Sequence, residues 1–117
     1  MDIEKIEKMI KEFSSNRDWD KFHNPKNLAM ALSVEASELV EIFQWLDFEQ
    51  AANLSGAKKE HTRQELADIA IYLLRICIYY NIDLETAIID KMELNKKKYP
   101  LYDKDGNKID YGKKDYS

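Results

Sequence analysis

Apolar residues recur at every third or fourth position along most of the chain, which is the spacing that places them on one face of an α-helix. Asn24 before Pro25, and Asp83 after a short turn, are residue types that cap helix N-termini. Pro100 ends the last apolar pattern because proline cannot continue a helix. The pattern therefore predicts an all-α, four-helix-bundle-like fold with helices over 2–13, 25–46, 58–80 and 84–98.

Two carboxylate pairs interrupt these apolar stripes, Glu35 with Glu38 in the second predicted helix and Glu65 with Asp68 in the third. Residues three apart share a helix face, so each pair presents two acids in one direction. Buried carboxylates without partners are costly, and they usually become neutral, pair with cations or bind a metal. Ion pairing with Lys or Arg at the edge of the apolar face is the alternative explanation. Two such pairs on packed helices favour a hard divalent cation, Mg²⁺ or Mn²⁺.

The composition fits one soluble helical domain and argues against a nucleic-acid polymer as partner. The 117 residues are 44% hydrophobic and 34% charged with only 3 Gly, which is unlike a β-sandwich or barrel. The formal net charge of −4 gives no overall basic field for a nucleic-acid duplex. No apolar run approaches the roughly 20 residues of a membrane span, so we expect no membrane partner. The single Cys77 and an N-terminus without signal-peptide character favour a cytoplasmic protein.

The segments outside the predicted helices offer aromatic residues and a polar tail. The loop after the first helix carries Trp19, Phe22 and His23, and loops often carry binding residues. The tail, 101–117, is rich in Lys, Asp and Tyr, and we expect an extended appendage to a helical domain that spans 1–100. The stretch 103–107 resembles the start of a calcium-binding loop, but its Gly stands at the fourth position instead of the sixth and no Glu follows at the twelfth. We therefore expect no calcium site there.

Several separated motifs, in the same order, resemble the MazG-like all-α nucleoside triphosphate pyrophosphohydrolases, most closely their dCTP pyrophosphatase branch. The matching stretches are 17–19, 22–28, 34–39, 43–45, 65–68 and 91–100. Two positions depart from the pattern: Val34 precedes Glu35 where many members have a second Glu, and Ser37 replaces a Gly common in the branch. The second departure affects the fine geometry of the first acidic motif rather than its ligands.

The resemblance implies an enzyme that hydrolyses a nucleoside triphosphate between its α and β phosphates, releasing the monophosphate and pyrophosphate. The implied substrate is dCTP or a modified dCTP, and the implied role is removal of unwanted nucleotides from the pool. One or more Mg²⁺ ions would be held by Glu35, Glu38, Glu65 and Asp68, and one of these acids or Glu41 would orient the attacking water. Contacts with the base, sugar or phosphates are implied for Trp19, His23, Trp45, Tyr72, Lys91, Asn95 and Tyr99.

Oligomerisation is expected on two grounds. Four amphipathic helices in 117 residues carry more apolar face than one small bundle easily covers. The family that the chain resembles forms dimers of dimers with sites near subunit interfaces. We therefore expect a homotetramer, with a homodimer as the alternative.

Two rival functions fit the same helical pattern less well. A ferritin-like carboxylate oxidase needs two Glu-x-x-His motifs, and neither His23 nor His61 stands three residues after a Glu. A non-enzymatic helical interaction module explains the amphipathic helices but not the acids within their apolar faces. Pyrophosphate release from dCTP with Mg²⁺, and its loss in EDTA, distinguishes these alternatives.

Overall fold

The computed structural model describes residues 1–113, and the regular secondary structure of this part of the chain is helical. The α-helices are α1, Ile3–Asn16; α2, Pro25–Phe43; α3, Phe48–Ala52; α4, Gly56–Tyr80; and α5, Leu84–Lys98. Short 3₁₀ turns lie at Asp20–Phe22 and Tyr111–Lys113, and one isolated β-bridge pairs Tyr102 with Lys108. The predicted all-α fold class is confirmed.

The predicted N-caps are in place. The backbone N–H of Asn27 donates to Asn24 Oδ1 at 2.9 Å, and Pro25 occupies the first turn of α2. The N–H of Thr86 donates to Asp83 Oδ1 at 3.3 Å at the start of α5. These short-range signals therefore fix where two of the long helices begin.

The ends of the helices depart from the pattern in three places. The first helix continues past its predicted end at 13 and through Ser14, because that side chain is buried and bonded to α4. The second stops at Phe43, short of 46, where the chain turns with the N–H of Leu46 donating to the carbonyl of Phe43. The third long helix begins at Gly56 rather than 58. Tertiary contacts and turns decide these ends more than periodicity does.

The short helix α3 was not predicted. Asp47 and Gln50 form a capping box, in which each side chain accepts a hydrogen bond from the other residue's backbone N–H, at 2.7 Å and 3.0 Å. The Asp-x-x-Gln signal is visible in the sequence, but α3 is a single short turn with no buried residue and hence no apolar period to detect.

The chain divides into two compact units, Met1–Ile82 and Asp83–Ser117. In the first unit α2 packs along α4 and α1 packs on α4. Helices α2 and α4 are antiparallel. Glu35 in α2 lies near Glu65 in the first half of α4, whereas His23, which precedes α2, lies near Arg75 towards the end of α4. Four apolar side chains are buried in this unit: Ile10, Leu28, Leu74 and Cys77. Burial raises the pKa of the Cys77 thiol.

The second unit consists of α5 and the segment that follows it. The Tyr111 ring packs edge to face on Tyr99, with centroids 5.7 Å apart, and its hydroxyl donates to the Pro100 carbonyl at 2.9 Å. The apolar side chains of Ile88 and Met92 on α5 are exposed. The division into a domain, 1–100, and a tail, 101–117, stays a prediction, and the end of that tail, 114–117, lies outside the described residues.

A search of the described helices found none with the length and apolar character that crossing a membrane requires.

Candidate metal centre and adjoining cavity

Three carboxylates converge where α2 packs against α4. Glu35 and Glu38 from α2 and Glu65 from α4 each offer one oxygen, and these three oxygens lie within 4.8 Å of one another. The spacing of three on α2 directs two acids to one side, and the antiparallel partner helix supplies the third. The fourth predicted ligand, Asp68, stands one turn further along α4, is exposed, and is not one of the three. Its place in the ligand set stays a prediction.

The electrostatics of this cluster show that negative charge is crowded there. The pKa of Glu35 is raised to about 7, first by a hydrogen bond with Glu65, then by burial and by the neighbouring Glu38. Glu65 is only 7% exposed. The Oε2 atoms of Glu35 and Glu65 are buried and have no hydrogen-bond partner among the described residues. In the metal-free protein a proton shared between Glu35 and Glu65 can satisfy oxygens of this pair, and a cation bound by the deprotonated acids would take its place.

The donor set fits a hard divalent cation. Mg²⁺ and Mn²⁺ prefer carboxylate oxygens and keep further positions for water or phosphate, and the two buried oxygens without partners on Glu35 and Glu65 are atoms that such a cation would satisfy. His61 Nε2 lies 3.3 Å from the other oxygen of Glu65, one turn earlier on α4. A ring nitrogen in that position can hold the carboxylate in one orientation, as outer partners of metal ligands do.

A cavity of about 410 Å³ adjoins the cluster, and five of the predicted site residues line it. Glu35 and Asp68 contribute the acidic part of its wall, while Trp19, His23 and Tyr72 contribute aromatic surface. Ile, Met and Phe side chains of α1 complete the wall. An apolar cavity with a few polar groups at one end is the usual form of a small-molecule site.

The position of Trp19 in this wall follows from how α1 ends. The N–H of Trp19 donates to the Ser14 carbonyl at 3.0 Å and the N–H of Asp18 to the Ser15 carbonyl at 3.1 Å, which is the Schellman pattern. Asp18 takes the left-handed conformation, with φ of 55°, that this motif requires. The accompanying apolar contact is made by Trp19 on Phe13, edge to face with ring centroids 5.6 Å apart.

The other predicted residues are placed elsewhere. Trp45 follows α2, is 87% exposed, and does not line the cavity of its own chain. Lys91 and Asn95 lie four apart on α5 in the second unit, with Lys91 exposed and Asn95 half-buried, and Tyr99 caps the C-terminus of that helix. The substrate contacts implied for these four residues stay predictions.

Arg75 is a cavity residue that the sequence analysis missed. Its Nη1 donates to Ser14 Oγ and lies 3.4 Å from His23 Nδ1, so the guanidinium joins α4 to the end of α1 and to the loop before α2. Burial lowers the pKa of Arg75, and burial followed by the nearby guanidinium lowers the pKa of His23. The signal was available: Arg75 is the only charged residue in the apolar run 71–80, just as the acids interrupt their own stripes.

Comparisons with known proteins identify the family to which the chain belongs. A family profile described as MazG-like matches residues 30–113. Proteins named dCTP pyrophosphatase 1 from Bos taurus and Rattus norvegicus are each 36% identical over 111 residues, which cover 93% of this chain and 66% and 65% of theirs. The Homo sapiens protein of that name is 35% identical over 102 residues, covering 86% of this chain and 60% of its own. The chain thus spans slightly less than two thirds of the length of these relatives.

The fold is also shared with a solved structure. A pyrophosphatase from Archaeoglobus fulgidus is 39% identical, and the two structures align with a TM-score of 0.81 over 86% of this chain and 94% of that protein. The family profile covers both acidic motifs and α5, so the match includes the elements that carry the carboxylates. The chain belongs to the MazG-like family.

Proposed function

We propose that this chain is a nucleoside triphosphate diphosphatase that hydrolyses dCTP, or a modified dCTP, to the monophosphate and pyrophosphate. The observation that carries the proposal is the juxtaposition of three carboxylates with an aromatic cavity of about 410 Å³. The carboxylates suit a cation that binds phosphates, and the cavity suits a base. The names of the curated relatives, dCTP pyrophosphatase 1, support the substrate and the reaction.

The proposed cofactor is Mg²⁺, with Mn²⁺ as the alternative, held by Glu35, Glu38 and Glu65 and completed by Asp68. When bound, it would neutralise phosphate charge and polarise the α-phosphate for attack by water. The buried oxygens without partners on Glu35 and Glu65 support this assignment. The acids that hold the cation must be deprotonated, so Glu35 loses its proton when the site is filled.

The chain's own side chains orient the substrate and the water. Trp19 and Tyr72 offer aromatic faces for stacking on a base, on the side of the cavity that α1 closes. Asp68 is exposed on the same wall, so its carboxylate can accept a hydrogen bond from the attacking water as well as serve as a ligand. Lys91, Asn95 and Tyr99 are proposed phosphate and sugar contacts, on the strength of the family motif alone.

The proposed active form is a homotetramer, or a homodimer. Trp45 and Phe48 are 87% and 96% exposed in the single chain, which is unusual for neighbouring large aromatics that no partner covers. The exposed apolar side of α5 supports the same conclusion. The free, buried thiol of Cys77 is consistent with the reducing environment of the cytoplasm, the proposed location.

A substrate screen tests the proposal. The pure protein is offered each canonical and C5-modified nucleoside triphosphate with Mg²⁺ or Mn²⁺, and pyrophosphate release is measured. We expect release from dCTP or a modified dCTP, and none in EDTA. The matched control is Glu60→Gln, since Glu60 is an exposed acid on α4 that contacts Arg63 and Gln64; it should keep wild-type activity. Turnover that is insensitive to EDTA, or none with any triphosphate, would refute the proposal.

A further inference from the structure

The guanidinium of Arg75 is held at one end of the cavity by two residues that come from other segments. Nη1 donates to Ser14 Oγ, and Ser14 is only 1% exposed, so this anchor lies inside the protein. The same Nη1 lies 3.4 Å from His23 Nδ1. A guanidinium fixed at one nitrogen has its planar fork oriented before any ligand arrives, which lowers the entropy lost on binding.

Arg75 keeps donors that the protein does not use. A guanidinium has five N–H groups, and within residues 1–113 the structure gives hydrogen-bond partners to those on Nη1 alone. No carboxylate in that part of the chain lies within ion-pair distance of it. The charge of Asp20 acts from a longer distance and raises the pKa of Arg75, against the larger lowering by burial. A half-buried cation without a direct ion pair is costly to desolvate. The free donors on Nε and Nη2 therefore suit a ligand that presents adjacent acceptors.

The ligand group at this end of the cavity is the base rather than the phosphates. Arg75 stands seven residues after Asp68, about 10 Å along the helix axis at 1.5 Å per residue. Tyr72, between them on the same face, lines the middle of the wall. Arg75 shares the wall of this cavity with Trp19 and with apolar residues of α1, which suit an aromatic ring better than a chain of anionic phosphates. With phosphates at the carboxylates, the base falls beside Arg75.

We propose that Arg75 recognises the acceptor edge of cytosine, donating from its fork to O2 and N3 of the base, and that Ser14 and His23 are its positioning residues. This inference rests on the proposed function, because it assumes a nucleotide in the cavity. Cytosine presents two adjacent acceptors, whereas thymine and uracil carry a hydrogen on N3 that would face a donor. A site built for hydrogen bonding rejects the analogue that leaves its polar groups unpaired.

His23 contributes through its tautomer. Because Nη1 of Arg75 can only donate, His23 Nδ1 accepts and the ring of the neutral histidine carries its hydrogen on Nε2. The imidazole is thereby fixed in one orientation beside the guanidinium, and His23 also lines the cavity. The predicted substrate contact of His23 is thus refined to a supporting role at the base end.

The test measures binding of nucleoside monophosphates, so it does not depend on turnover. Dissociation constants of dCMP and TMP are measured by calorimetry, with Mg²⁺ present, for the wild type and for Arg75→Lys, which keeps the charge but loses the fork. We expect wild type to prefer dCMP by about tenfold to a hundredfold, the discrimination of one good bidentate contact. Arg75→Lys should bring the ratio close to one, chiefly by weakening dCMP.

Two further variants control the experiment. Arg63→Lys changes an exposed arginine on the same helix, 79% exposed in its side chain, and should leave both dissociation constants unchanged. Ser14→Ala removes the anchor but leaves the guanidinium, and should reduce the preference for dCMP by a smaller factor. If Arg75→Lys proves unstable, Ser14→Ala still tests the proposal, since an unaltered preference in a folded Ser14→Ala protein would contradict it.

The outcomes separate this inference from the proposed function. Equal weakening of dCMP and TMP in Arg75→Lys, or a wild type that releases pyrophosphate yet binds both monophosphates equally, overturns the role of Arg75 and leaves the proposed function standing. A wild type that binds neither monophosphate and releases no pyrophosphate from any triphosphate overturns both. Loss of the dCMP preference in Arg75→Lys, with Arg63→Lys unchanged, supports the inference.

Discussion

The acidic cluster around Glu65 and the guanidinium of Arg75, both in the first unit, differ in how many of their buried polar atoms have hydrogen-bond partners within the protein. Around Glu65, three acids converge and two buried oxygens have no partner within the described chain. Around Arg75, the buried nitrogen has a serine and a histidine as partners. The acidic group thus leaves buried oxygens for a cation, whereas Nη1 of Arg75 already has partners among residues 1–113 and only Nε and Nη2 are left for a ligand. Removing charge from the first should stabilise the metal-free protein, and removing a partner from the second should destabilise it.

The largest effect is expected from Glu65→Gln. The substitution keeps the shape of the side chain but removes a charge from the cation site, so hydrolysis of dCTP should fall by at least about a hundredfold, since even outer partners of metal ligands affect activity by 10 to 100-fold. Thermal stability in EDTA should hold or rise because repulsion among the acids is relieved. Pyrophosphate release and a melting curve measure both.

Pyrophosphate release and melting are also measured for Asp68→Asn, because Asp68 is not one of the three converging carboxylates. A loss as large as that in Glu65→Gln is expected if Asp68 completes the ligand set or orients the water. Wild-type turnover in this variant would remove Asp68 from the site, while wild-type turnover in Glu65→Gln would refute the metal centre itself.

The pKa of Glu35 makes the stability of the metal-free protein depend on pH. The folded pKa of about 7 lies above the ordinary 4.5, so the folded state binds the proton more tightly than the unfolded state. This contribution is complete below pH 4.5 and is lost as pH rises through about 7. Melting in EDTA should therefore occur at a lower temperature at pH 8 than at pH 6.

Glu35→Gln is the control for that pH dependence. The variant lacks the titrating group, so the difference between its melting temperatures at pH 6 and pH 8 should be smaller than in wild type. Added Mg²⁺ should stabilise wild type more at pH 8 than at pH 6, because the proton competes with the cation. An identical pH dependence in wild type and Glu35→Gln would contradict the raised pKa.

A smaller effect is expected for the cavity aromatics. Trp19→Ala should raise KM for dCTP by about tenfold to a hundredfold with little change in kcat, because stacking is lost while the metal site is kept. Trp45→Ala should change KM in the same direction but less, since Trp45 lies outside the cavity of its own chain. A drop in kcat with unchanged KM, together with a lower melting temperature, would make Trp19 a packing residue instead.

The smallest effect is expected from Ser14→Ala. This substitution should lower the stability of the protein in EDTA, whereas Glu65→Gln should maintain or raise it. Removing the hydroxyl leaves a half-buried Arg75 nitrogen with one partner fewer, which should cost about 1 to 3 kcal/mol of unfolding free energy in EDTA. Ser15→Ala is the matched control on α1, because the Ser15 side chain is exposed. Denaturant unfolding measures both, and equal stability of the two variants would contradict the anchoring contact.

Local sequence signals were enough to predict the four long helices and most of the acidic cluster. The capping residues Asn24 and Asp83 act within three residues of themselves, and Glu35 and Glu38 share a face by spacing alone. That Glu65 would join them required only that two apolar stripes pack together. Such short-range rules hold whatever the rest of the chain does.

Long-range contacts could not be predicted in the same way. Arg75 and Ser14 are 61 positions apart, and no periodicity connects them. The same contact explains why α1 runs past its predicted end, since a buried serine bonded to another helix overrides its usual preference for helix ends. Trp45 illustrates a different limit. The sequence motif singled out this residue, but it gave no information on the exposure of the side chain in the single chain.

The most direct test of the central claim is phosphorus NMR of dCTP during turnover by the wild-type protein. With Mg²⁺ present, the account predicts that the three triphosphate signals are replaced by those of dCMP and pyrophosphate only, and that EDTA stops the conversion. Signals of dCDP and inorganic phosphate, or conversion that continues in EDTA, would contradict it.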